Sequence, residues 1–424
     1  MIKMKDSGYS YIGLIPANWE VTRNKNVFSC NKVLVGSNSN STQLLSLTTK
    51  GVKEKDINNP EGKLPESFDT YQYVKENDIV MCLFDLDVSA VFSGISPYNG
   101  MISPAYRVLT CRNNIVPQFA DYWFKYISDG RKFNHYAKNI RYTLNYEDFS
   151  SLPIVFPPLE TQQRIVDYLD EKCRKIDAII EKQQSVIEKL KEYKLSVITV
   201  AVTKGLNPDV EIKDSGKNFI GCIPSNWDVI KLKYISLEIG DGLHGTPEYD
   251  ENGDIYFVNG NNVGADALVF KAGTNTINEI EFKKYKKPLL NTNTLLMTLN
   301  GATYGKTSFY NNEKILLGKS AGYITLKPKE NKKFVRYYLQ SMVAKLIMDY
   351  SLCGSTIANV SLRTLNDFEI PYPPKEEQTA IVAYLDKHTS QIDISINYRE
   401  KIIEKLVEYK KSLIYEVVTG KKEV

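Results

Sequence analysis

The glycine run Gly240-Asp241-Gly242-Leu243-His244-Gly245 has the G-x-G-x-x-G spacing with which a strand-to-helix turn holds a dinucleotide or S-adenosylmethionine. That chemistry needs a helix to open at the glycines, so that its unpaired N–H groups face a phosphate. The run Thr246-Pro247-Glu248-Tyr249-Asp250-Glu251-Asn252-Gly253 follows instead, and it is too rich in turn formers to begin a long helix. Pro208-Asp209, Glu211 and Lys213 copy the acidic-plus-lysine set of metal-dependent nucleases. Such carboxylates come from separate strands, whereas these share one short linker. The chain has no G-x-x-x-x-G-K-[Ser/Thr] and no [Asp/Asn]-Pro-Pro-aromatic motif of amino-methyltransferases. Its three histidines, at 135, 244 and 388, are isolated, which argues against a metal site. Cysteines at 30, 82, 111, 173, 222 and 353 form no C-x-x-C pair, so reduced thiols in the cytoplasm are expected. No residue set here is equipped for catalysis, and no cofactor is expected on this chain.

The elements that position these residues are organised by an internal repeat. Lys5-Asp6-Ser7-Gly8, Ile12-Gly13, Ile15-Pro16, Asn18-Trp19 and Val21 return 208 residues later as Lys213-Asp214-Ser215-Gly216, Ile220-Gly221, Ile223-Pro224, Asn226-Trp227 and Val229. A second block returns after 216 residues: Pro157-Pro158, Glu160, Gln162, Ile165-Val166 and Tyr168-Leu169-Asp170 match Pro373-Pro374, Glu376, Gln378, Ile381-Val382 and Tyr384-Leu385-Asp386. The chain is a tandem duplication. Between the blocks, residues 22–156 and 230–372 scarcely resemble each other. Both carry an amphipathic stretch (Phe119, Tyr122, Trp123, Phe124; Phe334, Tyr337, Tyr338, Leu339) and a β-type run (78–83; 294–299). Each is expected to be a compact α/β domain with large loops. A duplicated frame carrying divergent inserts implies one fixed job and one variable job.

After each Pro-Pro the pattern becomes helical, because a residue preceding proline avoids the α region. Leu169, Ile176, Leu190 and Val197 recur at multiples of seven, as do Leu385, Ile392, Leu406 and Leu413. The intervening seam positions are expected at Ile165, Ile179, Val186 and Tyr193, and at Ile381, Ile402 and Tyr409. No Gly or Pro interrupts 159–204 or 375–419, so two long coiled-coil helices are expected. Gln183 and Arg399 share one seam position; they either fix register or are tolerated near solvent. Expected pairing residues are Leu169, Ile176, Gln183, Leu190, Leu385, Ile392, Arg399 and Leu406.

The 424 residues are 42% hydrophobic and 25% charged, a globular balance, and the net charge of +4 permits but does not require a basic face. No apolar run approaches a membrane span, and the start MIKMKDSGYSYIG has no signal-peptide core.

Ile-Gly-x-Ile-Pro-x-Asn-Trp opening each half, and Pro-Pro-x-x-x-Gln-x-x-Ile-Val-x-Tyr-Leu-Asp opening each helix, resemble type I restriction-modification specificity subunits along essentially the whole chain. The resemblance implies an α+β architecture: two α/β target recognition domains separated by two long antiparallel coiled-coil helices in a pseudo-twofold circular arrangement. The expected segments are 1–156 (first motif and recognition domain), 157–207 (first helix), 208–372 (second motif and domain) and 373–424 (second helix). It further implies that the chain binds double-stranded DNA at a bipartite site, with two modification subunits and restriction subunits as partners. S-adenosylmethionine, ATP and magnesium would be held by those partners only. The competing reading is a coiled-coil scaffold with two protein-binding domains.

Within the first domain, the run from Gly94 to Tyr106 resembles a recurrent segment of one class of these domains, which makes Ser96, Tyr98, Ser103 and Tyr106 candidate DNA contacts. In the second, 241–247 and 301–306 resemble segments of another class, pointing to His244, Gly245, Thr246, Tyr304 and Lys306. Glycines admit close backbone approach, and Ser, Thr and His can meet base edges or phosphates. The same runs equally suit tight turns with polar tips. Lysines 283, 284, 286 and 287 are either a phosphate-binding run or a solvated face. The offsets 208 and 216 together equal the chain length, and the internal linker 204–212 matches in length residues 420–424 followed by 1–4. The two ends are therefore expected to meet, with the first motif packed near the end of the second helix.

Overall fold

The computed structural model describes residues 3–49, 51–56, 65–86, 92–137, 142–286, 288–352 and 359–424. Lys287 and Cys353 lie outside them. Contacts divide the chain into two units, Met1–Gln183 with Glu400–Val424, and Gln184–Arg399. The four consecutive segments expected from sequence are thus regrouped, because each long helix gives its halves to different units.

Both units are framed alike. In the first, Met4–Asp6 pairs antiparallel with Leu14–Pro16, and Glu20–Arg23 with Pro153–Phe156. In the second, Ile212–Asp214 pairs with Cys222–Pro224, and Asp228–Lys231 with Glu369–Tyr372. The strand leaving the opening motif therefore pairs with the strand entering the Pro-Pro stop, so each insert begins and ends at one place.

The inserts share a sheet topology despite their divergence. In the first unit β1 (Phe28–Ser29), β2 (Ile79–Met81), β3 (Ser93–Ile95) and β4 (Arg107–Cys111) are ordered β1-β4-β2-β3, all antiparallel. In the second, β5 (Ser236–Asp241), β6 (Thr294–Thr298), β7 (Thr307–Phe309) and β8 (Ala321–Leu326) are ordered β5-β8-β6-β7, the same topology. The amphipathic stretches are helices, α1 (Pro117–Asp129) and α3 (Lys332–Leu339), whose aromatic faces enter the cores.

The long helices are α2 (Leu159–Lys204) and α4 (Lys375–Val418), beginning directly after Pro158 and Pro374 as expected. Gln162 and Gln378 are buried and donate side-chain N–H to the carbonyls of Pro157 (2.8 Å) and Pro373 (2.9 Å), bracing each start. Among the described residues an ion pair joins the two antiparallel helices in each unit: Asp177–Lys410 at 2.7 Å in the first, Lys194–Asp393 at 2.6 Å in the second. These pairs are equivalent under the 216-residue repeat.

Seam positions Leu169, Ile176, Leu385 and Ile392 are buried, while Gln183, Leu190, Arg399 and Leu406 are half-buried. The intervening line holds at Ile165 and Ile381, which are buried, and at Val186 and Ile402, which are half-buried, and departs from expectation elsewhere. Ile179, Tyr193 and Tyr409 are exposed; Val166, Cys173, Ile180 and Ile187 turn inward with Val382, Thr389, Ile396 and Ile403. Lys172 falls on the expected line and stays 40% exposed by side chain, while neighbouring Cys173 is buried in its place.

Each insert is tied to its long helix by a bond that repeats between the units. The Tyr122 hydroxyl donates to Asp170 Oδ1 at 2.7 Å, and the Tyr337 hydroxyl to Asp386 Oδ1 at 2.7 Å. Burial, then the bond to a carboxylate, pushes the Tyr122 phenol above its usual range. The helix ends meet the opening motifs in a similar way, though one residue out of step with the repeat. Gly420 (φ +71°) lies against Pro16 and Trp19, and Gly205 (φ +76°) against Trp227 and Pro224. Lys421 and Lys204 donate to the carbonyls of Ile12 and Cys222 respectively. Each helix thus ends on an Ile-Pro-x-Asn-Trp motif.

Candidate nucleic-acid interface

The register of the second unit's sheet gathers separate loops at one end. Asp241 of β5 faces Gly322 of β8, Thr298 of β6 faces Ala321, and Met297 faces Thr307 of β7. The loops 242–247, 299–306 and 318–320 therefore emerge together. Leu243 bridges Gly318 and donates its N–H to the Leu317 carbonyl at 2.7 Å. Gly242 is required there, since a Cβ would lie 2.3 Å from the Leu317 backbone. No helix opens at Gly240–Gly245.

All five candidates of this unit lie on these loops. His244 is exposed, with Nε2 at 2.7 Å from Asp241 Oδ2, and Gly245 and Thr246 are exposed beside it. Lys306 is exposed with no ion partner among the described residues. Tyr304 plays another part: its hydroxyl meets Asp349 and Lys345, whose ammonium also sits 3.9 Å above the ring. Tyr304 thus anchors the β6–β7 loop, which turns at Gly301 (φ +80°) and Gly305 (φ +81°). Below Tyr304 and Lys306 a groove of about 1120 Å³ runs past Arg336 and Lys333 to Asp386 and Asp393.

Sequence reasoning missed three residues at this end. Lys319 is exposed, with no ion partner among the described residues, in the loop before β8; Asn300 borders the β6 end; Asn261 tips a turn packed against Thr298 and Ser320. Their Asn/Gly/Lys composition was the available signal. Its meaning depends on strand pairing across 60 residues.

The first unit does not bring its four candidates together. Ser96 and Tyr98 lie in the turn between β3 and Gly100–Ile102, beside Asp78 at the start of β2. Ser103 and Tyr106 lie at the opposite end, just before β4, and this end is topologically equivalent to the loop end of the second unit. Ser96 is fully buried; its hydroxyl donates to the Tyr98 carbonyl at 2.8 Å and accepts the Tyr98 N–H. Its expected contact with DNA gives way to shaping the turn that presents exposed Tyr98. Buried Gln72 donates to the carbonyls of Ser103 (3.1 Å) and Tyr106 (2.9 Å), holding that loop. The Tyr106 ring stacks on Phe84, and burial raises its phenol pKa.

Of the lysine run, Lys284 is paired at 2.5 Å with Glu281, whose carboxyl is held at about 2 chiefly by that bond. The charge of Lys284 is thereby offset by a carboxylate. Among the described residues no helix is long and apolar enough to cross a membrane, and Cys30, Cys82, Cys111, Cys173 and Cys222 are free thiols.

A family model for the type I restriction modification DNA specificity domain matches residues 16–189 and again 224–404. The type I restriction enzyme MjaVIII specificity subunit of Methanocaldococcus jannaschii is 26% identical over 82% of this chain and 80% of its own length. The MjaX specificity subunit of the same organism is 28% identical over 73% and 69%. A solved chain from work on complex assembly and conformational transition of the type I R-M system superposes with a TM-score of 0.71, at 14% identity, over 96% of this chain and 99% of that one. The chain belongs to the type I restriction-modification DNA specificity family, whose domain it carries twice.

Proposed function

We propose that the chain binds double-stranded DNA at one asymmetric, bipartite site, each unit reading one half, and presents that site to two modification subunits and to restriction subunits. In this reading all chemistry, with S-adenosylmethionine, ATP and magnesium, belongs to those cytoplasmic partners. The observation that carries it is the contrast within each unit. The frame repeats its strand pairing, its Tyr–Asp bond and its glycine contact, while the loops at the equivalent sheet ends share no sequence. A constant mount with a variable tip suits a reader whose two halves are selected independently. Tyr193 and Tyr409, equivalent under the repeat and 58% and 55% exposed, support one docking point per copy of a twice-bound partner.

A base-resolution map of methylated adenines tests the proposal, taken with modification subunits and the chain, with each alone, and with residues 230–372 exchanged for a relative's. One bipartite site is expected only from the combination, with a single half-site altered by the exchange. Methyl transfer by the purified chain alone, or a change in both half-sites, overturns the proposal.

A further inference from the structure

The turn Gly260–Asn262 is over-determined by its neighbours. The Asn259 N–H donates to Asn262 Oδ1 at 2.9 Å, and the Asn259 side chain accepts the Asn262 N–H, closing a reciprocal cap. Ser320 Oγ accepts the Gly260 N–H at 2.8 Å and donates to Asn259 Oδ1 at 3.1 Å. Thr298 Oγ1 donates to the Gly260 carbonyl at 3.2 Å, and Asn262 Nδ2 donates to the Val269 carbonyl at 3.1 Å. A Cβ on Gly260 would stand 2.7 Å from Thr298 Cγ2, so the turn sits tightly on the end of β6. Asn259 and Asn262 are thus consumed in holding the turn. Asn261, at its tip, is exposed, and its carboxamide has no partner among the described residues.

We propose that Asn261 reads an adenine in the half-site of the second unit, an inference that rests on the DNA-binding reading above. A carboxamide offers one acceptor and a donor side by side, matching the N6 amino group and N7 of adenine at the major-groove edge. Holding the turn rigid before binding removes the ordering cost that a flexible loop would bear. Lys319 and Lys306, exposed at the same sheet end, supply phosphate contacts that carry no sequence information.

The test is selection from a duplex library randomised over both half-sites, with the full chain assembled on its modification subunits. Asn261→Ala is expected to lose about 5- to 150-fold of adenine preference at one position, the range of one bidentate contact. All other positions should keep their preferences. Lys319→Ala should weaken binding to every sequence alike and reduce the slope of log affinity against log salt by about 0.9. Circular dichroism checks that both variants fold. If the wild-type assembly selects a bipartite site and Asn261→Ala retains every preference, the assignment of Asn261 is overturned while the DNA reading stands. Loss at a position that prefers another base overturns the adenine assignment. No selection by the wild type overturns both.

Discussion

Replacing Gly205 and Gly420 by alanine, one at a time, probes how closely each helix end packs on its motif. Both glycines adopt left-handed φ, +76° and +71°. That conformation costs alanine about 1–2 kcal/mol, and reduced freedom of the unfolded chain offsets about 0.4–1 kcal/mol of it. At Gly205 the new methyl meets nothing nearer than 3.3 Å, at Glu377 Oε1 and the Trp227 ring. The net loss there should be about 1 kcal/mol. At Gly420 the methyl would lie 2.4 Å from two atoms of the Pro16 ring and 2.9 Å from Trp19. The proline or the helix end must shift, and overpacking adds about 1–3 kcal/mol. Gly420→Ala should therefore cost about 2–4 kcal/mol. Hydrogen exchange read by mass spectrometry assigns each loss to its place. Gly420→Ala should accelerate exchange in Leu14–Pro16 and near Thr419, and Gly205→Ala in Cys222–Pro224 and near Thr203. Equal protection losses at the two sites, or a larger one for Gly205→Ala, would refute the packing argument.

Three further outcomes follow from the same geometry. A circular permutant with Val424 joined to Met1 and new ends near Asn207 should fold and select the wild-type site; a changed site would contradict the equivalence of the linkers. Tyr122→Phe and Tyr337→Phe keep the ring and remove the bond to Asp170 or Asp386. Each should lower resistance to guanidinium by about 1 kcal/mol, since an ionised acceptor strengthens the bond while its exposure weakens it, and an unchanged midpoint would show that the insert docks by ring packing alone. Asp367 is held at about 2 by Lys231 and Lys233. A depressed carboxyl stabilises above its unfolded value of about 4 and loses that contribution as pH falls toward 2. Asp367→Asn should therefore flatten the acid limb of stability between those pH values, and an unaltered limb would discount the ion pairs.

Legibility followed the range of the interaction. Helix starts at Leu159 and Lys375 were readable because the Pro-Pro stop acts on its immediate neighbour. The buried faces of α1 and α3 were readable because period 3.6 marks one side of a helix. The seam was half readable: the Leu169, Ile176 line and the Ile165 start of its neighbour were evident, but the shift of that neighbour to Cys173 and Ile180 was not.

What the sequence by itself determined was the duplication, the two helices with their bounds, the closure of the ends, and the absence of familiar catalytic motifs. These are statements about spacing, and spacing is written along the chain. The tertiary structure alone decided that two unlike inserts share one sheet topology. It also separated Ser96 from Tyr106 to opposite ends of that sheet, and placed His244, Lys306, Lys319 and Asn261 together. The physical reason is that strand register is settled by backbone hydrogen bonds between segments dozens of residues apart. A polar side chain's role then depends on which partners that register brings to it: Ser96 and Asn259 are consumed inside turns, and Asn261 is left facing outward.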